Sequence, residues 1–195
     1  MALKYGDLPE HVDLSGLDAY HPDHTEKDAA QARILAALAE GEKPDQEDVS
    51  TAVGESFRTL YDLGKLHLAG DRLYVLSFRG NPGFIPYVKV GITKDSNRHD
   101  RLYRHIDHDA SLQDGFLFDA WISRPCLPGH TPKSWEDRLI DLLDSVVEPH
   151  DKIGREYYRR LPFPMAVLGA RMEEQGKQVR LRRSAASTDR VRHVP

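Results

Sequence analysis

Residues 87–93, YVKVGIT, put a phenol, an ammonium and a gap on one side of an apolar strand. Period two sends Tyr87, Lys89 and Gly91 to one face and Val88, Val90 and Ile92 to the other. Upstream, RLYVLSF (72–78) carries Tyr74 among apolar residues, and pairing of the two strands lets Tyr74 and Lys89 share the polar face. Downstream, Arg101 and His105 are four apart, hence neighbours on a helix. Glu136 follows Trp135 at the border of an apolar helical stripe. These group types handle anions. A guanidinium forks onto anionic oxygens. A phenol beside a cation is drawn toward its ionised form. One carboxylate, with waters and phosphate oxygens, suits a magnesium-sized cation. Glycine lets a ligand approach the backbone closely.

Each group also has a bland reading. Tyr74 alone is a core residue, and Lys89 alone is a solvated edge residue. Arg101 and Glu136 alone are surface charges or an ion pair. His99, His105 and His108 fit no zinc spacing, and no cysteine helps them. Glu156, beside Tyr157 and Tyr158, reads as structural. Only the joint arrangement favours a site.

The elements that must position these groups follow from periodicity and punctuation. Thr25 caps a helix with Asp28 three residues on, Ile34, Leu35 and Leu38 form its apolar face, and Gly41 ends it. KPDQEDVSTAVG (43–54) predicts a second short helix and ESFRTLYDLGKL (55–66) a third. A hairpin turned at Gly70 and Asp71 would follow, which is the order of a winged helix. The third helix carries Glu55, Arg58, Asp62 and Lys65, a balanced face rather than a basic one. Then come strands at 72–78 and 87–93, predicted antiparallel, and a loop between them rich in Gly and Pro. A helix is expected in 94–107 and a third strand in 115–123. TPKSWEDRLIDLLDSVV (131–147) predicts a helix with Thr131 as cap, Pro132 at its first position, and a stripe of Trp135, Leu139, Leu142 and Val146.

Composition bounds the classes. The chain has 195 residues, 39% hydrophobic and 30% charged, and no apolar run long enough to span a membrane. The first residues lack the apolar core of a signal peptide. The one cysteine, Cys126, excludes an intramolecular disulfide and fits a reducing, cytoplasmic setting. Residues 1–70 hold 14 Asp and Glu against 6 Lys and Arg, whereas 71–195 hold 21 basic against 17 acidic residues. The basic remainder is compatible with nucleic acid.

At these residues the sequence resembles the GIY-YIG nucleases. LYV (73–75) stands for the first strand triplet and KVG (89–91) for the second. RLYRH (101–105) is similar to the stretch that carries the family's arginine, and SWEDRLIDLL (134–143) to the helix with its glutamate. Lysine in the second triplet, and GREYYRR (154–160) near the end, resemble a branch of the family that has lysine there. The asparagine that often closes the domain is not evident.

The resemblance implies an α+β fold, a small antiparallel sheet flanked by helices, over 71–172. A helical, winged-helix-like region would occupy 25–70, an irregular lead-in 1–24, and a basic, disordered tail 173–195. It implies an endonuclease that hydrolyses DNA with Mg2+ or Mn2+ held by Glu136. Tyr74 would be general base, Lys89 the cation favouring its phenolate, Arg101 a phosphate clamp, and His105 a group positioning water or phosphate. Arg98, Arg104, Arg155, Arg159 and Arg160 would grip the backbone of double-stranded DNA. The alternatives are a DNA-binding or regulatory module of the same fold with little activity, and an RNase.

Overall fold

A computed structural model describes residues 25–66, 71–94, 102, 104, 105, 115–125 and 132–174. Helix α1, Thr25–Ala39, opens with Glu26 and Asp28 in its first turn, where carboxylates suit the helix dipole. Its chain turns at Gly41, whose φ of 76° lies in the left-handed region that glycine occupies without strain. Its inward face is Lys27, Ala30 and Ile34; Leu35, expected on that face, is 42% exposed. At 100° per residue Leu35 lies beyond the stripe that Ala30 and Ile34 define.

The two short helices expected next are one, α2, Gln46–Leu66. Gly54, at the boundary between the two helices expected from the sequence, lies mid-helix on the exposed side. Ala52, Ser56 and Leu60, four apart, carry the buried stripe straight through. Packing along that stripe outweighs the roughly 1 kcal/mol that a mid-helix glycine costs. The described segment therefore has two helices before the sheet, not the three of a winged helix. Residues 67–70, with the proposed hairpin turn, lie outside the described residues. A Cβ built on Gly54 meets nothing within 4 Å. Gly54→Ala is expected to stabilise the fold by about 0.5–1 kcal/mol, measured by urea unfolding.

The sheet is antiparallel, with strands β1 (Arg72–Gly80), β2 (Tyr87–Thr93), β3 (Gly115–Ile122), β4 (Lys152–Ile153) and β5 (Tyr157–Arg159) in the order β3-β1-β2-β5-β4. Helix α3, Pro132–Asp144, and helix α4, Phe163–Glu174, follow β3 and β5. The α+β fold expected from the sequence is the fold observed. Helix α4 runs two residues into the stretch assigned to the tail.

Both faces of the central strands are buried. Leu73 and Val75 of β1 and Val88, Val90 and Ile92 of β2 pack under Trp135, Leu139, Ile140 and Leu143 of α3 and Ala166, Val167 and Ala170 of α4. The opposite face holds Tyr74, Leu76, Phe78, Tyr87, Leu117, Ala120 and Ile122, covered by Leu60 and Val53 of α2 and by Leu102. On α3 the stripe is Trp135, Leu139, Ile140 and Leu143, whereas Leu142 and Val146 are half-buried. The buried face is turned from the expected one toward Ile140 and Leu143, and it takes Glu136 in with it.

The α1–α2 pair is tied to β3 where the ladder slips. Ser77 of β1 faces Asp119 and Phe78 faces Leu117, so Phe118 is an extra residue, a β-bulge. Its carbonyl accepts from Gln31 of α1 and from Ser56 Oγ at 3.2 Å. Beside it buried Lys27 pairs with Asp119. The bulge frees a carbonyl that two helices then satisfy, and they cover what would otherwise be an open sheet edge.

Candidate active site

The register of β1 and β2 builds the first half of the site. Tyr74 stands directly opposite Gly91. A Cβ on Gly91 would lie 2.5 Å from the Tyr74 hydroxyl oxygen and 2.7 Å from its Cζ. The glycine is therefore required by the tyrosine: the phenol lies across the backbone of β2, and any side chain there would displace it. Tyr74 is fully buried. The His105 ring lies 6.0 Å from the Tyr74 ring, tilted by 41°. Leu102, Arg104 and His105 have helical backbone, and Arg104 is exposed.

Lys89 lies two residues from Gly91 and so on the same face as Tyr74. It is 2% exposed. Its ammonium donates to Glu156 Oε2 at 3.3 Å and sits 3.8 Å from the centroid of the Tyr157 ring. A buried ammonium needs such partners, because desolvation of an unpaired charge costs several kcal/mol. Glu156, read as structural, thus orients a predicted site residue. Its backbone also accepts from Val90 N–H at 3.0 Å, one rung past the β2–β5 ladder.

The next rung explains Glu136. Beyond Glu156 the chain no longer runs beside β2, and the N–H of Ile92 is left without a strand partner. Glu136 Oε1 accepts that N–H at 3.2 Å. Helix α3 packs on the face opposite to Tyr74 and Lys89, so Glu136 does not share their face. Glu136 instead reaches the open edge of β2, at the end of the strand where Tyr74 crosses Gly91. It is 4% exposed. Burial pushes its proton affinity up, as does the charge of Glu156, while Lys133, Arg155 and the Ile92 N–H pull the other way.

Among the described residues, no donor comes within hydrogen-bond distance of Glu136 Oε2. Lys133 Nζ is at 3.8 Å and the Arg155 guanidinium at 4.0 Å. One carboxylate oxygen fixed by the backbone and one left open is a donor set that fits a hard cation sharing its shell with waters and phosphate. No group of three or more metal-ligating side chains occurs among the described residues.

The predicted basic residues divide. Arg155 lies beside Glu136 and pairs with Asp137. Arg159 is half-buried on β5 opposite Tyr87, and Arg160, with a positive φ of 55°, lies 3.8 Å from Asp151. Arg98 and Arg101 lie outside the described residues, as do Cys126, His99 and His108. No family model, curated protein or solved structure matches the chain. The resemblance to the GIY-YIG nucleases accordingly stands on the motif residues themselves. Among the described residues no helix is long and apolar enough to cross a membrane.

Three residues at or beside the site escaped the sequence reading. Lys133 lies one turn before Glu136, and i,i+3 spacing could have flagged it. Glu156 had a signal in its place next to an aromatic pair. Arg72 gave none: it is a fully buried arginine that donates to the Ser123 carbonyl at 3.0 Å, two residues before Tyr74 on the same face.

Proposed function

We propose that the chain is a GIY-YIG-type endonuclease that hydrolyses phosphodiester bonds of double-stranded DNA with the help of Mg2+ or Mn2+. The observation that carries the reading is the crossing of Tyr74 over Gly91, at the end of β2 whose open edge Glu136 holds. Glycine at that position, tyrosine opposite it and a carboxylate with one oxygen outside any hydrogen bond among the described residues suit such a hydrolysis.

Glu136 is the residue that would hold the cation, through the oxygen that the Ile92 N–H leaves free. When bound, the cation supplies charge compensation at the phosphate and the leaving oxygen. The chain's own groups do the rest. Tyr74 takes a proton from the attacking water. A phenol with a pKa of about 10 needs a nearby positive charge to do so at neutral pH. Lys89, on the same face, supplies that charge, and Glu156 and Tyr157 fix where the ammonium stands. Arg101 forks onto a nonbridging oxygen. His105, beside the Tyr74 ring, positions the water or the phosphate. The core on both sides of β2 excludes bulk water, which strengthens each of these interactions.

The competing reading is a module of the same fold that binds DNA without cutting it. Lys133 and Arg155 favour that reading, because they already balance part of the charge on Glu136. Incubation of supercoiled plasmid and of a long DNA of varied sequence with Mg2+ or Mn2+, with structured RNA in parallel, separates the readings. The expected result is nicked and linear DNA, sequenced ends that define the cut, and no cleavage in EDTA. Protein inert on every DNA with either metal would defeat the enzyme reading, and cleavage of RNA alone would make it an RNase.

A further inference from the structure

Beside Glu136, two cations and two carboxylates close a ring that the nuclease mechanism does not use as such. Lys133 and Asp137 come from the first turns of α3, and Arg155 from the turn between β4 and β5. Asp137 Oδ1 accepts from Lys133 Nζ at 3.2 Å and from the Arg155 guanidinium. The same two cations flank Glu136 Oε2 at 3.8 and 4.0 Å. Glu136 is the inner member, with a side chain 5% exposed. Asp137 at 45%, Arg155 at 52% and Lys133 at 58% form the rim.

One oxygen that receives an ammonium and a guanidinium N–H together is held as a nonbridging phosphate oxygen is held. Lys133 is also in the wrong place to serve its helix. It lies in the first turn of α3, which has no acidic residue, and a cation there opposes the helix dipole. Glu136 and Asp137 of the same helix, three and four residues on, offset that cost, and Arg155 of the β4–β5 turn shares both carboxylates with Lys133.

We propose that Asp137 stands in for a DNA phosphate: it occupies Lys133 and Arg155 in the free protein, and the backbone of double-stranded DNA displaces it. The partner rests on the nuclease reading; the exchange itself does not need cleavage. Half-exposed ion pairs are weak and are screened by salt. A DNA phosphate has neighbours of like charge and releases counterions on binding, so it wins the two cations from a single aspartate. The exchange leaves Asp137 facing the bound strand, and binding is weaker than the same surface would give without it.

The test is fluorescence anisotropy of a labelled random-sequence duplex in EDTA, with the full chain, over a range of salt. Asp137→Asn is expected to tighten binding about three- to fivefold at low salt, with the gain fading as salt rises. Lys133→Gln with Arg155→Gln should weaken binding about tenfold and flatten the salt dependence. In that double variant, Asp137→Asn should add nothing. Unchanged or weaker binding by Asp137→Asn overturns the proposal. So does an equal gain in the double variant, which would mean that any lost negative charge helps. Absence of duplex binding by every protein, or binding of RNA alone, overturns it too. The nuclease reading fails separately: a wild type that shows the Asp137 effect and never cuts DNA would be a binding module with this exchange intact.

Discussion

Glu136→Gln is expected to lower metal-dependent DNA cleavage about a thousandfold while the fold stays at least as stable as the wild type. Glutamine keeps an oxygen to accept the Ile92 N–H, so the open rung of β2 remains capped. It loses the negative charge that would hold a divalent cation. The stability half follows from the raised proton affinity of Glu136. The folded chain binds this proton more tightly than the unfolded chain does. The contribution to stability is therefore full at low pH and is lost as pH rises through the folded value, opposite to a salt-bridged carboxylate. Once ionised, the group is a burden that glutamine lacks. Single-turnover cleavage together with urea unfolding at acid and neutral pH checks both halves. Undiminished cleavage would remove Glu136 from the mechanism. A clear loss of stability at neutral pH would show that its charge serves the fold.

Gly91→Ala should lower turnover about a hundredfold, as a displacement near 1 Å of a reacting group does, and destabilise the fold by about 1–3 kcal/mol. The added methyl group meets the Tyr74 hydroxyl oxygen and Cζ at 2.5 and 2.7 Å, and a fully buried ring has nowhere to swing. The clash belongs to the pair. Tyr74→Leu in the same chain should recover much of the lost stability and none of the activity. A double-mutant cycle by urea unfolding, run beside cleavage kinetics, separates the two effects. Additive stability losses, or activity restored by the leucine, would show that the Tyr74–Gly91 crossing is not what the glycine serves.

Much of the scaffold was legible in the residues. Strands β1, β2 and β3 announce themselves by apolar runs between Gly, Pro and Asn, and α3 by Pro132 and its stripe. Alternation showed which residues of β1 and of β2 share a face, and the shared face of Tyr74 and Lys89 then depended on the two strands pairing in this register. The continuous α2 did not, because Gly54 is a local signal and the stripe of Ala52, Ser56 and Leu60 prevails only once β3 is there to pack against. The bulge at Phe118 was equally hidden, since nothing in GFLFDAWI distinguishes the residue that slips.

The sequence by itself determined the α+β layers and which residues share a face of a strand or helix, because those follow from periods of 2 and 3.6 residues. Only the tertiary structure decided how groups on different elements meet. It put Glu136 at the sheet edge rather than on the face of Lys89, gave Lys89 its partner in Glu156, and made Gly91 the seat of Tyr74. Such contacts depend on where one element stops beside another. Ile92 has a bare N–H because β5 and the turn before it end one rung too soon, and no local pattern in the chain encodes that.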